Sequence, residues 1–200
     1  MAEWGGEPAR VLRAGPARMF RQGEPGVARR GGRGMRIVLH SGTDGAAVRS
    51  VQQALQGARA GLAGRAVLVP QALGQGTQAG MVLAALPPGH GFVAQQGLDD
   101  AGVKARLLAR QADALGAEIA ALRPGLMILS AVEVVRWCGT PARMAALLRW
   151  LRDFADDVTG VLHLGPQAEV VAEQAVAEVL LGAQRPAGVV DQPGLVALWR

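Results

Sequence analysis

Three histidines (His40, His90 and His163), one cysteine (Cys138) and scattered carboxylates make up most of the chemical equipment of this chain. One stretch gathers such groups closely: His40-Ser41-Gly42-Thr43-Asp44-Gly45-Ala46-Ala47-Val48-Arg49-Ser50-Val51-Gln52. A turn of small residues between an apolar run and an amphipathic one suits anion binding, because a helix N-terminus presents unpaired N–H groups and the positive end of the helix dipole. The pattern G-x-x-x-x-G-K-[ST] nevertheless fails here. Started at Gly42, it puts its second glycine on Ala47, its lysine on Val48 and its hydroxyl on Arg49. An ATPase or GTPase of that type is not expected.

Within the turn, Arg49 lies in the first helical turns, where it either reaches an anion or is solvated on the helix face. His40, at the end of an apolar run, either orients the loop and acts as a base or packs structurally. Glu133 follows another strand end and reads as a general base or as a solvated carboxylate. His163 reads as mid-strand core and His90 as a solvent-exposed linker residue. Cys138, beside Trp137, reads as a buried small hydrophobe. A single cysteine excludes an intramolecular disulfide and a cysteine-based zinc site. No Ser/His/Asp order or metal-ligand spacing emerges.

The elements that position these residues alternate. Arg36 to Ser41 predicts a strand whose continuous apolar run suits a sheet covered on both faces. Asp44 can cap a helix from Gly45 to about Leu62, with Val48, Val51, Leu55 and Ala58 at helical spacing. Arg65 to Pro70 predicts a second strand, Thr77 to Leu86 a short helix, Gly89 to Gly97 a linker, and Asp99/Asp100 the start of a helix to Leu122. Leu126 to Ser130 predicts a third strand. Thr140-Pro141 opens a helix through Phe154; Val161 to Leu164 is a fourth strand and Gln167 to Leu181 a last helix. Strands separated by helices predict an α/β three-layer sandwich with a mainly parallel sheet of about four strands. Ligands bind beyond the carboxyl ends of such strands, which directs attention to the turn after the first one.

The segment from His40 to Gln52 resembles the N-terminal motif of bacterial sulfotransferase-like proteins, H-x-G-T-x-K-T-G-T-T-S-[IVL]-Q. His40, Gly42, Thr43, Ser50, Val51 and Gln52 match in register. Leu55, Arg59, Leu62, the run Arg65 to Val69 and Pro70 follow in the family's order. Ile128-Leu129-Ser130 with Glu133 resembles its S-x-E strand end with one extra residue, and Val161 to Leu164 the strand before its nucleotide-binding arginine. The resemblance spans about residues 36 to 183. It implies a P-loop-like fold, 3′-phosphoadenosine 5′-phosphosulfate (PAPS), or its product PAP, as the nucleotide, and Gly42, Thr43, Gly45, Arg49, Ser50 and Ser130 as the residues lining its site, with His40 and Glu133 as catalytic candidates.

The departures fall on the phosphate contacts. The family's loop lysine corresponds to Gly45, followed by Ala46, Ala47, Val48 and Arg49; its 3′-phosphate arginine corresponds to Gly165, and its later serine falls near Ala172 or Glu173. Each charge-assisted contact so lost forfeits about 1.5 to 3 kcal/mol. Three readings follow. The leading one is a degenerate sulfotransferase-like domain without efficient sulfuryl transfer. The others are an active enzyme that binds PAPS through His40, Arg49 and loop amides, and a scaffold that pairs with another chain, in a homo- or hetero-oligomer, through Ala/Leu-rich helical faces.

Half of the 200 residues are hydrophobic and 18% are charged, which suits one globular domain and excludes disorder throughout. The net charge of +5 is concentrated at one end: residues 1 to 34 hold seven arginines against three glutamates, so the rest is nearly neutral and presents no basic groove for nucleic acid. That segment predicts a disordered arm, with Met35 as an alternative start; residues 35 to 185 form the domain, and 186 to 200 a tail in which Leu195, Leu198 and Trp199 dock back. No signal-peptide core or run of about 18 apolar residues occurs, so neither secretion nor membrane insertion is expected, and a reducing, cytoplasmic setting is.

Overall fold

The computed structural model describes residues 10–12, 34–165, 172 and 192–199. The expected helix from Gln167 to Leu181 and most of the N-terminal arm lie outside the described residues.

The apolar run after Met35 forms β2 (Arg36–Gly42), with Ile37 and Leu39 fully buried. It feeds directly into α1 (Gly45–Ala63), whose cap is Asp44: the carboxylate accepts the Ala47 N–H. β4 (Leu126–Ser130) and β5 (Asp157–His163) flank β2 in parallel, so β2 is the central strand. β3 (Val67–Leu68) lies parallel beyond β4. β1 (Arg10–Leu12) closes the opposite edge, antiparallel to β5, in the order β1-β5-β2-β4-β3. The expected architecture, an α/β three-layer sandwich with a mainly parallel sheet, is the one observed. The expectation of an arm without structure is corrected for Arg10–Leu12, which find backbone partners along β5 because an edge strand offers a row of unpaired groups.

Alternation along parallel strands sends Ile37, Leu39, Met127, Leu129, Val158 and Leu162 to one face, all buried. The core there is completed by Met81, Leu115, Leu147 and Phe154, also buried. α3 (Ala101–Leu122) is capped by Asp100 and α5 (Pro141–Leu151) by Thr140, with Pro141 at its first position. Both starts fall where cap chemistry puts them.

Other boundaries differ from expectation, each for a local reason. The second strand pairs only over Val67–Leu68, because Ala66 has φ 55° and turns the chain before it, while Pro70 carries no N–H for the ladder. Thr77 to Leu86 is a 3-10 segment limited to Ala79–Ala84, with no side-chain cap on its first turn. The linker Gly89 to Gly97 contains α2 (Gly91–Gln95), capped by the His90 ring, whose Nδ1 accepts the Phe92 N–H at 3.3 Å. His90 is thus half-buried and stands edge-on to Trp137, with ring centroids 5.5 Å apart. α4 (Val132–Trp137) occupies what reads as a loop after the third strand. β5 starts at Asp157 rather than Val161, and the tail forms a helix, Gln192–Leu198. Trp199 is buried and Val196 and Leu198 pack against the core, so the tail docks through these residues; the Leu195 side chain lies outside the described residues.

Candidate functional site

The buried polar side chains among the described residues are His40, Ser41, Thr43, Gln52, Gln78 and Ser130. All of them meet at the carboxyl ends of β2 and β4. Burying so many hydrogen-bonding groups costs stability unless each finds partners, so their clustering delimits the candidate site.

Ser130, fully buried at the end of β4, is its hub. Its hydroxyl lies 2.9 Å from His40 Nδ1, a contact set by the register that puts His40 opposite Ser130. Its N–H donates to Gln78 Oε1 at 2.8 Å, and its carbonyl accepts from Gln78 N at 3.2 Å and Gln52 Nε2 at 3.0 Å. Gln52 comes from α1 and Gln78 from the loop before the 3-10 segment, so three separate elements converge on one residue. Ser41 Oγ donates to the Ala131 carbonyl at 2.6 Å and accepts the Val135 N–H at 3.3 Å, fastening the end of β2 to α4. Farther out, Arg59 Nε holds the Val69 carbonyl at 3.0 Å and ties α1 to the end of β3.

His40 and His163 sit at the ends of neighbouring strands in an edge-to-face pair, centroids 6.5 Å apart. Burial, reinforced by the neighbouring His163, holds His40 below the ordinary histidine range, so its ring is neutral at pH 7. His163 is half-exposed at the last position of β5 rather than mid-strand core.

The turn itself is assembled by backbone contact. Thr43 N donates to the His163 carbonyl at 2.8 Å, and Thr43 Oγ1 accepts the Gly165 N–H at 2.9 Å. Gly42 is required by this approach: a Cβ there would lie 2.3 Å from the His163 carbonyl oxygen. Gly165 is as tightly placed, since its Cβ would lie 2.7 Å from the Asp44 Cβ. No side chain fits at 165 without moving the turn.

His40, Gly42, Thr43, Gly45 and Ser130 are therefore brought together. Glu133 lies one step out, in the first turn of α4, and accepts the Thr77 hydroxyl at 3.1 Å; it reaches the His40 pair only through Ser130 and Thr77. Arg49 and Ser50 are on the exposed face of α1, and the Ser50 hydroxyl bonds back to the Ala46 carbonyl at 3.0 Å instead of pointing into the turn. Gln78 and Thr77 carry no motif signal. Gln52 matched the motif but gave no hint that its amide would reach β4.

Cys138 is fully buried, and desolvation pushes its thiol up to about 12, against a smaller opposing influence from Arg143, so it is a poor nucleophile at neutral pH. Among the described residues no three or more His, Cys, Asp or Glu converge as metal ligands would. No helix among them is long and apolar enough to cross a membrane.

Against protein-family models, curated proteins and solved structures, the chain finds no match. The site's own geometry must carry the functional argument.

Proposed function

We propose that this chain is a degenerate sulfotransferase-like domain, one that keeps the strand-turn-helix frame of a nucleotide site but does not transfer a sulfuryl group efficiently. The observation that carries the reading is Asp44. Its carboxylate stands at the N-terminus of α1 and takes the Ala47 N–H, so an acidic group occupies the ground where a phosphate would be held. An incoming phosphate would meet like charge and a donor already engaged.

Two further features support it. Gly45, buried at the first position of α1, supplies no cation where the resemblance calls for lysine. Gly165 lies so close to Asp44 that an arginine cannot replace it without displacing the turn. Losing both cations removes about 3 to 6 kcal/mol of charge-assisted contact, or roughly two to four orders of magnitude in affinity for PAPS or PAP. Because the lysine missing at Gly45 would stabilise charge developing on the bridging oxygen, the rate falls together with the binding.

Titration calorimetry of the full chain with PAP tests the proposal. No binding is expected at micromolar nucleotide. Micromolar affinity that disappears in Arg49→Ala would overturn it in favour of an active enzyme with an unconventional donor loop.

A further inference from the structure

Both described ends of the chain converge on one residue of β5. Leu12 of β1 pairs with Gly160 along the sheet edge, and the Trp199 indole lies over Gly160 from the face. The seat is shaped for that ring: a Cβ at Gly160 would lie 2.5 Å from one indole carbon of Trp199 and 2.7 Å from the next. Trp199 is 7% exposed, and Val196 and Leu198 of the C-terminal helix pack beside it on the core. The seat is closed in shape but incomplete in hydrogen bonding, because Trp199 Nε1 is buried with no partner among the described residues. A buried orphan donor penalises the docked state by the cost of an unmade hydrogen bond.

Three residues beyond Gly160, the same strand presents the His163 carbonyl to the Thr43 N–H; two further on, the Gly165 N–H reaches Thr43 Oγ1. The strand segment under Trp199 is therefore the one that holds the Gly42–Thr43 turn.

We infer that the C-terminal helix Gln192–Leu198, with Trp199 as its bolt, is a releasable latch that sets the order of the Gly42–Thr43 turn through β5. Docked, it presses on Gly160 and keeps β5 in register with β2. Released, it frees the end of β5, and the two contacts to Thr43 open with it. The coupling is independent of whether the turn binds a nucleotide.

Amide hydrogen exchange of the full-length protein, followed by NMR, tests it. In Trp199→Ala the Thr43 and Gly165 amides are expected to exchange about tenfold faster or more, while Met127 to Leu129 of β4 keep their protection. Trp199→Phe keeps a ring in the seat and removes the orphan N–H, and is expected to hold the turn at least as well as the native indole. Three outcomes overturn the inference: unchanged exchange at Thr43 and Gly165 in Trp199→Ala, an equal rise in β4, or a Phe variant as loose as the Ala variant.

Discussion

His40 has one ring nitrogen held by Ser130 and is neutral because it is buried, which ties the stability of the molecule to pH. Its folded-state value lies below the unfolded one, so in the interval between the two the unfolded chain binds more protons and stability rises with pH. The contribution is fully present above about 6.5 and is lost as pH falls below it. Urea unfolding at pH 7.5 and pH 5.5 is expected to show lower stability at the acid value, with His40→Gln losing less over the same interval. His90, shifted in the same direction by burial and by Arg143, supplies the residual slope. At this scale the site was half legible. Gly42, Thr43 and Ser130 could be placed because Gly42 and Ser130 lie where strands end and Thr43 lies in the turn of small residues between a strand and a helix. Gln78 could not, since its partner Ser130 is far along the chain and an amide in a polar loop carries no spacing of its own. Ser50 misled for the opposite reason: its type fitted the motif, yet an exposed helical serine satisfies itself on the preceding turn.

Among the elements, the turn between β2 and α1 is held by close backbone approach, and the glycines can be ranked by what surrounds them. Gly42→Ala would drive a methyl group into the His163 carbonyl and is expected to cost about 1 to 3 kcal/mol. Gly57→Ala, in the interior of α1 with nothing near the added carbon, is expected to raise stability by about 0.5 to 1 kcal/mol. Denaturant midpoints of the two variants check both signs. α1, α3 and α5 were legible because each pairs a capping side chain with a periodic apolar stripe. β5 was legible only in its second half: Asp157, Thr159 and Gly160 interrupt the apolar pattern, and the reason for Gly160 lies in a tryptophan near the other end of the chain. α2 was hidden because its cap is a histidine, which is rarely counted among capping residues.

For the whole molecule, the basic N-terminal segment is more than a solvated tail, since three of its residues extend the sheet along β5. Beginning the chain at Met35 would expose that edge. Net backbone hydrogen bonds are worth about 0.5 to 1.5 kcal/mol each, so the shortened protein is expected to lose roughly 1 to 3 kcal/mol while keeping the far-ultraviolet circular dichroism of its parallel sheet. Chemical unfolding of the two lengths, side by side, decides it; equal stability would mean that the edge pairing contributes nothing.

The central position of β2 has a consequence for how the protein is made. Among the described residues it is the first parallel strand to leave the ribosome, yet its neighbours β4 and β5 begin only at Leu126 and Asp157. Contacts so distant in sequence slow folding, and a Val/Ile/Leu run with two open edges must wait through most of synthesis. α1, emerging directly behind it with its own Asp44 cap, is the first described element able to shield that run in the interval. Nascent chains halted before Leu126 should therefore depend on chaperones in a way that chains extended past His163 do not.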